Sequence, residues 1–184
     1  MAVDPATLRI QLYPAEVLRR KAKPVEPGAE AEAVGRRMLE LMRGAEGIGL
    51  AGPQVGLEWR IFVCDVPPGE DWSSETDPPS ASKGPAVYLN PRIVSHEGGL
   101  EPYDEGCLSL PGITGTVNRP PTVTMEAQTP AGETVRVTAT GLLARCWQHE
   151  IDHLDGVLII DRMTQASRLR TRARVRQMEK AARR

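Results

Sequence analysis

Apolar positions along the chain change their period several times, and each change marks an element. Between Glu30 and Gly44 the residues Val34, Met38, Leu41 and Met42 recur at helical spacing, which predicts an amphipathic helix. Gly47–Gly56, GIGLAGPQVG, holds too many glycines for a helix and reads as a shaped loop or irregular strand. Trp59–Val66, WRIFVCDV, reads as a largely buried strand. The 19 residues Pro67–Pro85 are rich in Pro, Ser and acidic side chains. Their length exceeds that of most connections and predicts a mobile excursion, after which extended structure resumes at Val87–Leu89. Thr122–Ala127 and Thr134–Ala139 alternate apolar and polar residues around TPAG, the pattern of a hairpin. Leu143, Trp147, Ile151 and Leu154 stripe one side of a helix over Leu142–Leu154, with Gly156 placed to end it. From Thr164 onward there is neither Gly nor Pro, so a terminal helix follows.

At 184 residues the chain is long enough for one domain with a real core, and it shows no internal repeat. Its apolar fraction of 40% and charged fraction of 26% are ordinary for a globular protein. No stretch approaches the roughly 18 apolar residues of a membrane span. The N-terminus MAVDPATLRI lacks a signal pattern, so a cytoplasmic, non-membrane location is the expectation. Cys64, Cys107 and Cys146 cannot all pair, which fits a reducing compartment. Residues 168–184 carry seven Arg and one Lys against one Glu, a net +7, so the overall −1 leaves −8 for residues 1–167. An acidic body with a basic end points to an anionic partner for that end.

The chemistry is concentrated in Gln148–Gly156, QHEIDHLDG. A helix turns about 100° per residue, so His149 and His153 share a face and can grip one cation. Glu150 then stands within reach of a water on that cation. A third ligand is needed. The metzincin pattern fails because Ile159 stands where its third His belongs, and the thermolysin-like pattern offers only Glu179, in the Arg-rich end. Cys146, three residues before His149, is a geometric candidate, although a buried pocket-lining cysteine fits it as well. Cys107 lies in EGCLSLPG, where Gly106 and Pro111-Gly112 flank a short exposed ledge that could approach the helix from the other side. Cys-His-His would leave a position open, the mark of a catalytic metal.

GIGLAGPQVG, EGCLSLPG and QHEIDHLDG, in that order, resemble the peptide deformylase family, and VLRRKAKPV (Val17–Val25) is similar to its N-terminal part. The resemblance covers roughly Leu8 to Met163. It implies a single catalytic domain over 1–184, with a deformylase core at about 8–163 and a basic C-terminal helix at 164–184. The implied fold is α+β: antiparallel or mixed β-sheets packed around a central metal-binding HExxH helix, with an N-terminal amphipathic helix and a C-terminal one.

The implied activity is removal of the formyl group from the N-terminal formyl-methionine of new polypeptides. Cys107, His149 and His153 would hold the metal, generally ferrous iron in this family, with zinc, nickel or cobalt able to replace it. Glu150 would carry the proton, while Gln54 and the backbone N–H of Leu108 would stabilise the oxyanion. Gly49 would let the substrate backbone come close, Ile48, Leu142 and Cys146 would line the methionine pocket, and Glu105 and Gly106 would contact substrate. The basic C-terminal helix would meet the ribosome. Two departures stand out: Gly52, where the family usually has Ala, is expected to add backbone freedom, and Arg145 occupies a pocket-side position that is apolar in some members. Two other readings use the same residues: a general zinc endopeptidase, and a non-catalytic module that binds nucleic acid through its basic end and keeps a structural metal. His96 reads as a solvent-facing loop residue.

Overall fold

A computed structural model describes residues 3–182. Helix α1 (Ala29–Gly44) precedes strands β1 (Gly49–Ala51), β2 (Ile61–Cys64), β3 (Ala86–Glu97), β4 (Glu101–Gly106), β5 (Thr114–Arg119), β6 (Thr122–Gln128) and β7 (Thr134–Thr140). Helices α2 (Gly141–Leu154), α3 (Ile159–Arg162) and α4 (Gln165–Ala181) follow. The fold is α+β. A five-stranded sheet runs β1-β2-β3-β6-β7, a separate two-stranded sheet pairs β4 with β5, and every pairing between these strands is antiparallel.

Strand β2 explains how the sheet becomes an interior layer. Successive side chains in a strand point to opposite faces. Phe62 and Cys64 therefore face one core, with Val123, Met125 and the α2 residues Leu143, Trp147, Ile151 and Leu154. Ile61 and Val63 face another, with Val34, Met38 and Met42 of α1. All four β2 residues are buried, so the continuous apolar run is the signature of a strand covered on both sides. A third cluster joins Leu18, Leu110, Ile113, Val117, Leu158 and Met163, and α4 leans Val175 and Met178 on it.

The hairpin around TPAG forms as expected, with Thr122 opposite Thr140 and Gln128 opposite Thr134. Two expectations are corrected. The segment 67–85 is anchored: Ser80 and Ala81 are buried, Leu143 N–H donates to the Ser80 carbonyl, and Thr140 N–H donates to that of Pro79. Backbone carbonyls of this segment thus meet N–H groups at the start of α2, where Thr140 makes no side-chain cap. His96 is exposed as expected but lies in β3 rather than in a loop. Beyond α2, Gly156 takes φ +76 and its N–H reaches the His153 carbonyl, ending the helix as anticipated. Among the described residues no helix is long and apolar enough to cross a membrane.

Candidate active site

Helix α2 buries one side in the core and turns His149 and Glu150 towards a cleft of about 670 Å³, with His153 buried one turn further on. The opposite wall comes from β4 and the turn after it. There Leu110 N–H donates to the Cys107 carbonyl and Ile113 N–H to that of Leu110, folding the EGCLSLPG ledge back towards the helix. Cys107 Sγ comes to 3.2 Å from His153 Nε2, and the two imidazole rings sit 5.0 Å apart. One ligand atom from each of Cys107, His149 and His153 falls within 4.8 Å of the other two. One soft thiolate and two imidazoles suit a first-row divalent cation. Cys146 instead lies in the core, with its thiol turned to the Ile48 carbonyl at 3.5 Å, which leaves Cys107 as the third member of the cluster.

The second Glu150 oxygen is buried and has no partner among the described residues. Burial pushes this carboxyl up to about 7, with the His149 charge opposing and Glu105 adding to the rise. Such a group can take and return a proton near neutrality. Burial also holds His153 well below the ordinary imidazole range, the neutral form a metal ligand requires. For His149 burial acts in the same direction, but hydrogen bonds with Cys107 and Glu105 outweigh it and raise the ring above that range.

Gln54 follows β1 in a short 3-10 turn, Gly52–Val55. Its Oε1 accepts from the Ala51 N–H at 2.8 Å, which fixes the amide so that Nε2 points towards Cys107 Sγ at 3.5 Å and Ser109 Oγ at 3.3 Å. Among the described residues the Leu108 N–H donates to no protein group, and Leu108 lines the cleft. Gln54 Nε2 thus lies beside one candidate ligand and the Leu108 N–H directly follows it in the chain, two donors of the kind a developing oxyanion needs.

Of the substrate-contact candidates, Ile48, Gly49, Gly106, Leu142 and Cys146 all line the cleft. The structure supplies an internal reason for Gly49: a Cβ there would collide with the Glu150 carboxylate and sit 2.8 Å from Cys146 Sγ. Gly52 is likewise a close approach rather than a source of freedom, since a Cβ would run into the Trp59 carbonyl. Glu105 also lines the cleft, yet its carboxylate is committed elsewhere. Oε1 accepts from Arg119 Nε at 2.7 Å and Arg145 Nη1 at 3.0 Å; Oε2 accepts from Arg119 Nη2 at 3.0 Å and pairs with His149 Nδ1 at 3.1 Å. That last bond turns the His149 Nε2 lone pair towards Cys107, so Glu105 orients a ligand. Burial alone would raise the Glu105 carboxyl, but hydrogen bonds from His149 and Arg119 hold it well below the usual carboxylate range.

Sequence reasoning did not assign Arg119, which also reaches Asp152 Oδ2 at 2.8 Å, or the pairing of Arg145 with Glu105. Asp152 lies three residues after His149, and that helical spacing was the one available signal.

A family model for polypeptide deformylase matches residues 7–169. Among similar proteins, the peptide deformylase of Thermodesulfovibrio yellowstonii is 41% identical over 164 residues, covering 89% of this chain and 93% of its own. That of Thermotoga neapolitana is 40% identical over 176 residues, covering 95% and 98%. Among solved structures, a plant peptide deformylase superposes with a TM-score of 0.84 at 37% identity, covering 95% of this chain and 90% of that one. The peptide deformylase of Plasmodium falciparum gives 0.82 at 32% identity, covering 95% and 97%.

Proposed function

The chain belongs to the polypeptide deformylase family, and we propose that Cys107, His149 and His153 hold its metal, Glu150 moves the proton, and Gln54 and Leu108 stabilise the oxyanion. It is a metal-dependent hydrolase that removes the N-formyl group from the N-terminal formyl-methionine of newly made polypeptides, releasing formate. One observation carries the assignment of roles: a Glu150 oxygen with no partner among the described residues stands in the cleft that Cys107 and His149 line, and buried His153 completes their cluster.

Ferrous iron is the proposed native cation, and zinc, nickel or cobalt suit the same donors. When bound, the cation supplies an acidified water and positive charge for the formyl oxygen. Glu150 accepts the water's proton as its oxygen attacks the formyl carbon. The proton then goes to the amine nitrogen as the C–N bond breaks, leaving formate and a free amino terminus. Gln54 Nε2 and the Leu108 N–H donate to the oxygen on which negative charge builds. Ile48, Leu142 and Cys146 form the proposed methionine pocket, joined by Tyr103 and Arg145 at the cleft wall.

The domain reading is a single catalytic unit whose basic helix α4 belongs to the same body, supported by the contacts of Val175 and Met178 with the core. Arg168, Arg170, Arg172, Arg174 and Arg176 are exposed along α4, which supports docking on ribosomal RNA in the cytoplasm.

The test is turnover of a formyl-Met peptide beside the same peptide carrying an acetyl group or a free amine. Formate release from the first alone, abolished by chelation and restored by metal, is the expected result. Cleavage of an internal peptide bond would replace this reading with that of a zinc endopeptidase.

A further inference from the structure

The segment 67–85 has no part in the chemistry above, yet it places one large aromatic beside Tyr103, a residue that lines the cleft. The chain has only seven Phe, Trp and Tyr residues, so two in contact at one rim is a concentrated use of them. Trp72 is half-buried against the core that holds α2. It lies over Gly141, the first residue of α2, where a Cβ would stand 2.5 Å from Trp72 Cζ3. Residue 141 is therefore small where the indole needs room. The same indole meets the Tyr103 ring edge-on, with centroids 6.4 Å apart and planes at 77°. On its other contact, Tyr103 lies under Arg145, whose Cζ is 5.2 Å from the ring centroid. Arg145 is itself pinned by Glu105 Oε1 and by the carbonyls of Val117 and Glu101. Tyr103 is 43% exposed on β4, and Trp72 and Arg145 both meet its ring. Tyr103, Arg145 and Leu142, the neighbour of Gly141, all line the cleft.

We propose that Trp72 is a positioning residue for substrate side-chain selection: by bracing Tyr103 against the start of α2, it makes segment 67–85 the outer support of the pocket that takes the first side chain. This rests on the deformylase reading above. A free Tyr103 ring would sample several rotamers over the cleft. Braced, it presents one wall to a long, unbranched side chain. The contribution falls on binding, because Trp72 stands behind Tyr103 and does not line the cleft beside Cys107, His149 and Glu150.

The test compares wild type, Trp72→Ala, Trp72→Phe and Tyr103→Ala on formyl-Met and formyl-Ala peptides. An aromatic pair of this kind changes affinity about three- to tenfold. Trp72→Ala is expected to raise KM for formyl-Met by about that factor with kcat within about twofold, and to leave formyl-Ala unchanged, since that side chain does not reach Tyr103. Trp72→Phe should restore most of the loss. Tyr103→Ala, on an exposed strand, should reproduce it, and adding Trp72→Ala to it should do no further harm. Equal loss on both peptides, loss confined to kcat, or an unchanged KM in Tyr103→Ala would each overturn the proposal. If wild type fails to deformylate either peptide, the deformylase reading fails first; active wild type with unaltered selectivity in the variants rejects this inference alone.

Discussion

Replacing Glu105 by Gln tests whether the carboxylate beneath His149 is a ligand-orienting group. The substitution keeps the shape and removes one acceptor. Glu105 receives two bonds on each oxygen, from Arg119 and Arg145 on one and from Arg119 and His149 on the other. Whichever way the amide is placed, its NH₂ faces two donors, so two of the four contacts are lost. Facing His149, it would push the proton to Nε2 and take the lone pair away from the metal position. Facing the guanidiniums, it would leave Arg119, whose side chain is 6% exposed, with Asp152 as its remaining anion. Breaking a buried pair from one side costs about 3–5 kcal/mol. Asp152 and the backbone carbonyls on Arg145 persist, so about 3 kcal/mol is expected, or roughly 6–12 °C in Tm at this chain length. Loss of a group that orients a ligand lowers metal affinity about 10–100-fold.

The pH dependence has a definite sign. The folded Glu105 carboxyl is depressed, so its stabilisation is fully present above the unfolded value of about 4.3 and is lost as pH falls towards the folded one. The Tm gap between wild type and Glu105→Gln should therefore be widest near neutrality and close on acidification below about pH 4. Thermal unfolding across pH and competition with a chelator measure both effects. A variant within about 2 °C and twofold in metal affinity at neutral pH would refute the network.

Glu150→Gln should keep fold and metal yet lose about 10²–10⁴-fold or more in kcat on a formyl-Met peptide, because the amide cannot accept the water's proton; near-normal turnover with metal content verified would remove Glu150 from its role. Cys107→Ala should purify without metal, whereas Cys146→Ala should retain it and alter mainly KM, which metal analysis and steady-state kinetics distinguish. In metal-free protein, burial pushes the Cys64 thiol up to about 12 and Cys146 well above its usual value, so alkylation at neutral pH should label Cys107 first, and added metal should protect it; mass spectrometry of the labelled peptides decides. Truncation after Ser167 keeps the bond from the Thr116 N–H to Ser167 Oγ and removes the exposed arginines of α4. Turnover of a short formyl-peptide should hold while ribosome binding weakens and its salt dependence flattens, and binding unchanged over a range of salt would count against docking.

Much of this protein is written in local patterns. The α1 and α4 helices, the β6–β7 hairpin and the two histidines on one helix face are legible because each depends on residues within one or two turns or across one tight loop. Segment identity also singled out Cys107, through the resemblance of EGCLSLPG, although nothing in its own spacing to His149 decides between it and Cys146. Tertiary structure decided the rest. The β4–β5 sheet was hidden because its exposed strand β4, EPYDEG, has no clean apolar alternation. Arg119, Glu105, Arg145 and Asp152 meet from two strands and a helix, and long-range ion pairs leave no periodic trace. Gly49 and Gly52 are glycines because a distant carboxylate and a distant carbonyl occupy the space of their missing side chains. The segment 67–85 has the composition of a mobile loop, but its order comes from surfaces offered to it by α2 and Tyr103. Local sequence sets backbone preference and side-chain period, whereas which buried charges pair and which loops dock depends on surfaces that exist only once separate elements have packed.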